Sequence, residues 1–82
     1  MNLEEVLDNG LTIMITTVVK GCTRHITCEN YTTVPSSNGI IILADDGNDY
    51  EIAVNDYVYN EVDEEWQLND DTIPEYITLM ED

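Results

Sequence analysis

Positive charge is what this chain has least of. Lys20 and Arg24 are its only Lys and Arg residues, His25 its only histidine, and 18 Asp and Glu residues leave a formal net charge of −16 over 82 residues. Direct binding to DNA or RNA is therefore not expected, because neutralising phosphates takes several Lys and Arg side chains. Docking on an anionic membrane is disfavoured for the same reason. No apolar run approaches the roughly 18 residues needed to span a bilayer. The opening Met1-Asn2-Leu3-Glu4-Glu5 has no basic region and no apolar one, so no secretory signal is expected there. Cysteine is scarce as well. Cys22 and Cys28, with five residues between them, match no usual zinc spacing and make no disulfide framework. Cys28 shares a face with Ile26 and reads as a small buried apolar residue.

Catalytic groups are equally thin. A Ser or Cys nucleophile needs an adjacent base, and on an extended strand His25 lies on the face opposite both Cys22 and Cys28. The four glycines are isolated turn residues and form no phosphate-cradling loop. A two-carboxylate hydrolytic site would need a cleft that so short a chain has little room to build. The expectation is a protein that is not an enzyme and carries no cofactor.

What the chain does have is enough apolar content, 43%, to fold as one domain spanning residues 1–82. A domain of this size buries roughly 60% of the surface that its unfolded chain exposes, so its stability should be modest. Leu3, Val6 and Leu7 have the spacing of a short amphipathic helix, with Asn2 placed to cap it. Residues 11–19 are rich in Ile, Thr and Val and alternate as a strand, Leu11, Ile13, Ile15 and Val19 forming the core face. A turn at 20–23 leads to a second strand over 24–34. Pro35-Ser36-Ser37-Asn38-Gly39 reads as a loop, and Ile40–Ala44 as a buried strand. An Asp-Gly turn at 45–48 then joins that strand to 50–54 as a hairpin. Tyr57–Tyr59 fits a fifth short strand, and 60–68 a helical turn or irregular loop. Residues 69–72 make a turn, and 75–80 an edge strand or a short helix. The fold class is α+β and mainly β. It comprises a small antiparallel sheet of four to six strands with one or two short helices, arranged as a sandwich or an SH3-like barrel. Ile40–Leu43 would be a seam for a homodimer if exposed.

The acids are unevenly placed. Residues 1–41 hold four, together with both cations, whereas residues 42–82 hold fourteen and no Lys, Arg or His. Like charge at this density destabilises a small fold through self-repulsion, and a solubilising surface would intersperse both signs. Two uses are open. Asp45-Asp46-Gly47-Asn48-Asp49 places oxygen donors around a glycine, which suggests a calcium-binding module. However, the EF-hand order fails, since Gly47 falls at the third position and Tyr50 at the sixth. Alternatively the carboxylates act as a surface. Same-face strand residues such as Asp49 and Glu51 lie about 6.6–6.8 Å apart, close to every second phosphate of a DNA strand at about 3.4 Å each. Asp45, Asp46 and Asp56 flank that pair, and Glu61, Asp63, Glu64 and Glu65 form a second cluster. Asp70 and Asp71 form a third, with Tyr57 and Tyr59 interleaved as anchors suited to a protein interface.

In size, charge and the clusters at Asp45–Glu51, Asp56, Glu61–Glu65 and Asp70–Asp71, the chain resembles the small acidic DNA-mimic inhibitors of phages and mobile elements. Anti-CRISPR and anti-restriction proteins are the familiar examples. The resemblance implies a stoichiometric inhibitor working in a bacterial cytoplasm. Its partner would be a basic nucleic-acid-binding protein or nuclease complex whose DNA or RNA site it fills. The type shares no single fold. An antitoxin or immunity-type protein that neutralises a basic partner without imitating DNA is the other protein-binding alternative.

Overall fold

The computed structural model describes residues 2–69 and 75–80. It opens with a helix, α1 (Leu3–Asp8), followed by β1 (Ile13–Val19), β2 (Cys22–Cys28), β3 (Tyr31–Ser36), β4 (Gly39–Ala44) and β5 (Asp49–Ile52). A 3-10 turn over Val54–Asp56 leads to β6 (Tyr57–Asn60), β7 (Glu65–Leu68) and β8 (Glu75–Leu79). Among the described residues these eight antiparallel strands form two sheets. One is five-stranded in the order β2-β1-β8-β7-β6, the other three-stranded in the order β3-β4-β5. The architecture is mainly β, as the alternating sequence pattern implies; the larger sheet falls within the four to six strands expected, and a second, three-stranded sheet accompanies it.

Local chemistry sets each element. Asn2 caps α1 by accepting the Glu5 N–H on Oδ1 at 2.8 Å, and Glu4 and Glu5 occupy the first turn, where the helix dipole favours negative charge. Lys20 and Gly21 both take positive φ, 52° and 77°, the pattern of a tight primed hairpin turn, and Val19 pairs with Cys22 across it. One core joins the two sheets and the helix. Leu3, Val6 and Leu7 of α1 pack with Ile13, Ile15 and Ile77 of the larger sheet and with Ile40, Ile42 and Ile52 of the smaller.

Four expectations are corrected. The single strand over 24–34 breaks at Glu29-Asn30. Cys28 and Tyr31 both turn inward, yet three residues of uninterrupted strand would put them on opposite faces. The loop over 35–39 shrinks to Ser37-Asn38. Pro35 lies within β3 opposite Ile40, tolerated because β3 is an edge strand and needs no N–H on its open side. Residues 60–68 are neither helical nor irregular but the turn and second arm of a β6–β7 hairpin. Finally, β8 is no edge strand: Ile77 pairs with Ile15 on one side and Trp66 on the other, at the centre of the larger sheet. The proposed Ile40–Leu43 seam is also largely internal, with Ile40 and Ile42 buried and β4 paired on both flanks.

Candidate functional site

The β6–β7 hairpin is the most strongly shaped acidic feature. Asn60 and Glu65 pair across its base, and Glu61, Val62, Asp63 and Glu64 make the turn. Asn60 Oδ1 accepts the Val62 N–H at 2.9 Å and the Asp63 N–H at 3.1 Å, replacing backbone acceptors inside the turn. Glu64 closes it in the left-handed region at φ 54°, a conformation Gly or Asn adopts with less strain. The result holds Glu61, Asp63 and Glu64 exposed, with Glu65 half-buried below them. Gln67 donates its amide N–H to Asp63 (3.4 Å) and Glu65 (3.1 Å), a neutral donor shared by two carboxylates.

Against the arms of this hairpin and the start of α1 runs a groove of about 740 Å³ whose walls include Leu3, Val54, Tyr57, Tyr59, Trp66 and Leu79. Trp66 is buried and belongs to the core, while Tyr59 stands 47% exposed against it. Tyr59 and the fully projecting Val62, 91% exposed, thus offer aromatic and aliphatic surface next to Asp63 and Glu64. Tyr57 differs from Tyr59. It is buried, its hydroxyl donates to Glu75, and burial followed by that hydrogen bond pushes its ionisation well above the usual tyrosine range. Its hydroxyl is committed to the fold, so Tyr59 is the more available of the two anchors.

The second acidic group follows β4. Asp45 and Asp46 lie in the β4–β5 turn, and Asp49 and Glu51 are exposed on the edge strand β5, alternating with Tyr50 and Ile52, which face the other sheet. Asp56 sits exposed in the 3-10 turn that links β5 to β6. Asp46 works as a turn residue: Oδ1 accepts the Asn48 N–H at 2.9 Å and Oδ2 accepts the Tyr50 hydroxyl at 3.1 Å. Those bonds, the Asn48 backbone first, hold its carboxyl below the usual carboxylate range. Both Asp46 oxygens therefore serve the hairpin. Among the described residues no group of three or more His, Cys, Asp or Glu side chains is arranged to hold a metal ion. Asp70 and Asp71 lie outside the described residues.

These acids form two groups, one on the edge of each sheet, joined through the 3-10 turn. The side-chain hydrogen bonds they accept come from neutral donors: Asn38 to Glu51, Tyr50 to Asp46, Gln67 to Asp63 and Glu65, and Tyr57 to Glu75. Among the described residues, none of these hydrogen bonds brings a compensating positive charge. The groove along Trp66 and Leu79 could not be read from sequence, because it needs β8 beside β7. The Tyr59–Trp66 pairing was hidden for the same kind of reason, in a stretch with no clear strand period.

No family model matches the chain, and neither the curated proteins nor the solved structures give a significant match. Among the described residues no helix is long and apolar enough to cross a membrane.

Proposed function

We propose that this chain is a non-enzymatic inhibitor that binds a basic nucleic-acid-binding protein or nuclease complex and fills its DNA or RNA site with carboxylates. One observation carries the reading. The exposed acids of β5, the 3-10 turn and the β6–β7 turn stand on elements that contain no Lys, Arg or His, and their hydrogen-bond donors are neutral. A cationic groove would supply the counter-charge they lack, and steering by that field would speed association. Tyr59 and Val62 beside Asp63 and Glu64 give such a contact an apolar centre, which charge alone does not provide.

The test is capture followed by competition. The tagged chain is used to isolate its binding protein from cells that express it, and the complex is challenged with duplex DNA and with single-stranded RNA at constant ionic strength. Release by nucleic acid from a nuclease or nucleic-acid-binding protein supports the proposal. A complex that resists both competitors would instead mark neutralisation of a basic partner away from its nucleic-acid site.

A further inference from the structure

The two sheets have four edges, and three are protected against further strand pairing. β3 carries Pro35, which removes an N–H from the ladder. β5 is four residues long and bears Asp49 and Glu51. β6 is also four residues long, between Asp56 and Glu61. Short strands, charges and proline are the usual devices that keep an edge from recruiting another chain.

The fourth edge, β2, is neither short nor acidic and has no proline; its one charged side chain is Arg24. It runs seven residues, Cys22-Thr23-Arg24-His25-Ile26-Thr27-Cys28, in unbroken register with β1, and no described strand pairs with its outer side. In a two-residue hairpin the flanking pair exchanges backbone hydrogen bonds. Inward bonding therefore falls at Cys22, Arg24, Ile26 and Cys28, and Thr23, His25 and Thr27 turn their N–H and C=O groups outward. Thr is a favourable strand residue, so the open side is a regular template.

Charge selects the occupant. The chain repels its own copies over most of its surface, but residues 9–28 contain no acid and hold Lys20, Arg24 and His25, every basic side chain present. The other end of β2 is negative. Glu29 follows Cys28, and Asp46 and Asp45 lie near enough to add to burial in pushing the Cys28 thiol up. An antiparallel two-fold pairing apposes unlike ends twice.

We infer that β2 is a homodimer seam: two copies join their β2 edges antiparallel about His25, making one ten-stranded sheet. Thr23 of one copy then pairs with Thr27 of the other, and Lys20 and Arg24 reach Glu29, Asp45 and Asp46 of the second copy. The symmetry closes, so no filament forms. The β6–β7 turns project from the two far ends of the joined sheet, giving a bivalent particle.

Sedimentation equilibrium of the full chain tests this. The wild type should dimerise. The double variant Lys20→Asp/Arg24→Glu should dissociate at least about tenfold more readily, because opposed charge pairs become repulsive. Asp at position 20 makes an Asp-Gly turn that suits the hairpin, so loss of folding does not mimic the effect; far-UV circular dichroism checks that directly. Adding Glu29→Lys to that variant should recover part of the affinity. A wild type that stays monomeric to about 1 mM, the weak end of specific association, would overturn the inference. So would a dimer that the double variant leaves unchanged.

Discussion

Tyr59 and Trp66 face each other directly across the β6–β7 pair, their ring centroids 5.0 Å apart and their planes tilted by 57°. This is a favourable aromatic geometry, worth about 0.5–1.5 kcal/mol beyond the area it buries. It ties the turn-side end of a four-residue hairpin arm to a buried core residue. Replacing Tyr59 by Ala should lower unfolding free energy by about that amount or slightly more, read from urea melts. If the hairpin is also the partner contact, the dissociation rate of the complex should rise more than the association rate falls.

Glu64 gives a prediction of opposite sign for stability and binding. Its left-handed backbone is one that Asn adopts more readily, so Glu64→Asn should raise stability by about 0.5–1 kcal/mol. The same change deletes an exposed carboxylate from the turn and should slow association with a basic partner while reducing its salt dependence. Thermal melts and stopped-flow association together test both halves. An equal or faster association rate would remove Glu64 from the binding surface.

Gly39 begins β4 where two backbones meet. A Cβ at this position would stand 2.2 Å from the Ile52 carbonyl oxygen and about 3 Å from the Val54 nitrogen and the Ala53 Cα. Backbone cannot swing aside as a side chain does, so Gly39→Ala should cost about 1–3 kcal/mol. The same substitution at Gly21, where no atom lies within 4 Å of the added carbon, strains only the turn dihedrals and should cost less. Chemical denaturation of the two variants side by side decides it.

Alkali should unfold the protein earlier than a chain of exposed tyrosines would suggest. Burial pushes the Tyr31 phenol up to about 12, and its hydroxyl donates to the Leu11 carbonyl at 2.6 Å. Tyr57 is raised as well, by burial and by Glu75. Up to pH 10, where tyrosine ordinarily ionises, both groups are protonated folded and unfolded, and their contribution is fully present. Above it the unfolded chain loses protons that the folded chain retains, so stability falls as pH rises from about 10 towards 12. Tyr57→Phe should make that decline shallower. At neutral pH the same variant should lose about 1–3 kcal/mol, because the half-buried Glu75 carboxylate loses its donor.

What could be read from sequence and what could not divide along a physical line. The helix at Leu3–Asp8, the buried Ile13 and Ile15 of β1 and the β4–β5 hairpin were legible because each is marked by neighbours: Asn2 as a cap, alternation through Ile13 and Ile15, Asp46-Gly47 between two β-prone runs; Val19, expected on the same core face, is exposed at the end of the strand. The hairpin at 57–68 was not. Its turn lacks a Gly, Glu64 takes the strained position instead, and the arms are four residues each, too short for a period to show. The place of β8 was invisible in a different way. Ile77 alternates with Thr78 as an edge strand would, and only its pairing with both Ile15 and Trp66 makes it central. Among the candidate site residues, exposure of Asp49 and Glu51 followed from alternation. The separate behaviour of Tyr57 and Tyr59 did not, because it depends on Glu75 from β8.

The central position of β8 also governs how the molecule comes into being. Ile15 leaves the ribosome early and must wait for Ile77 before its sheet closes, so the β1–β2 hairpin spends most of synthesis with one flank bare. Such distant pairing makes the search for the native state slow and leaves sticky surface in view meanwhile. The intervening stretch is where the carboxylates are densest, and mutual repulsion keeps neighbouring nascent chains apart. The same crowding of carboxylates that burdens the finished fold thus opposes association while the larger sheet is still incomplete.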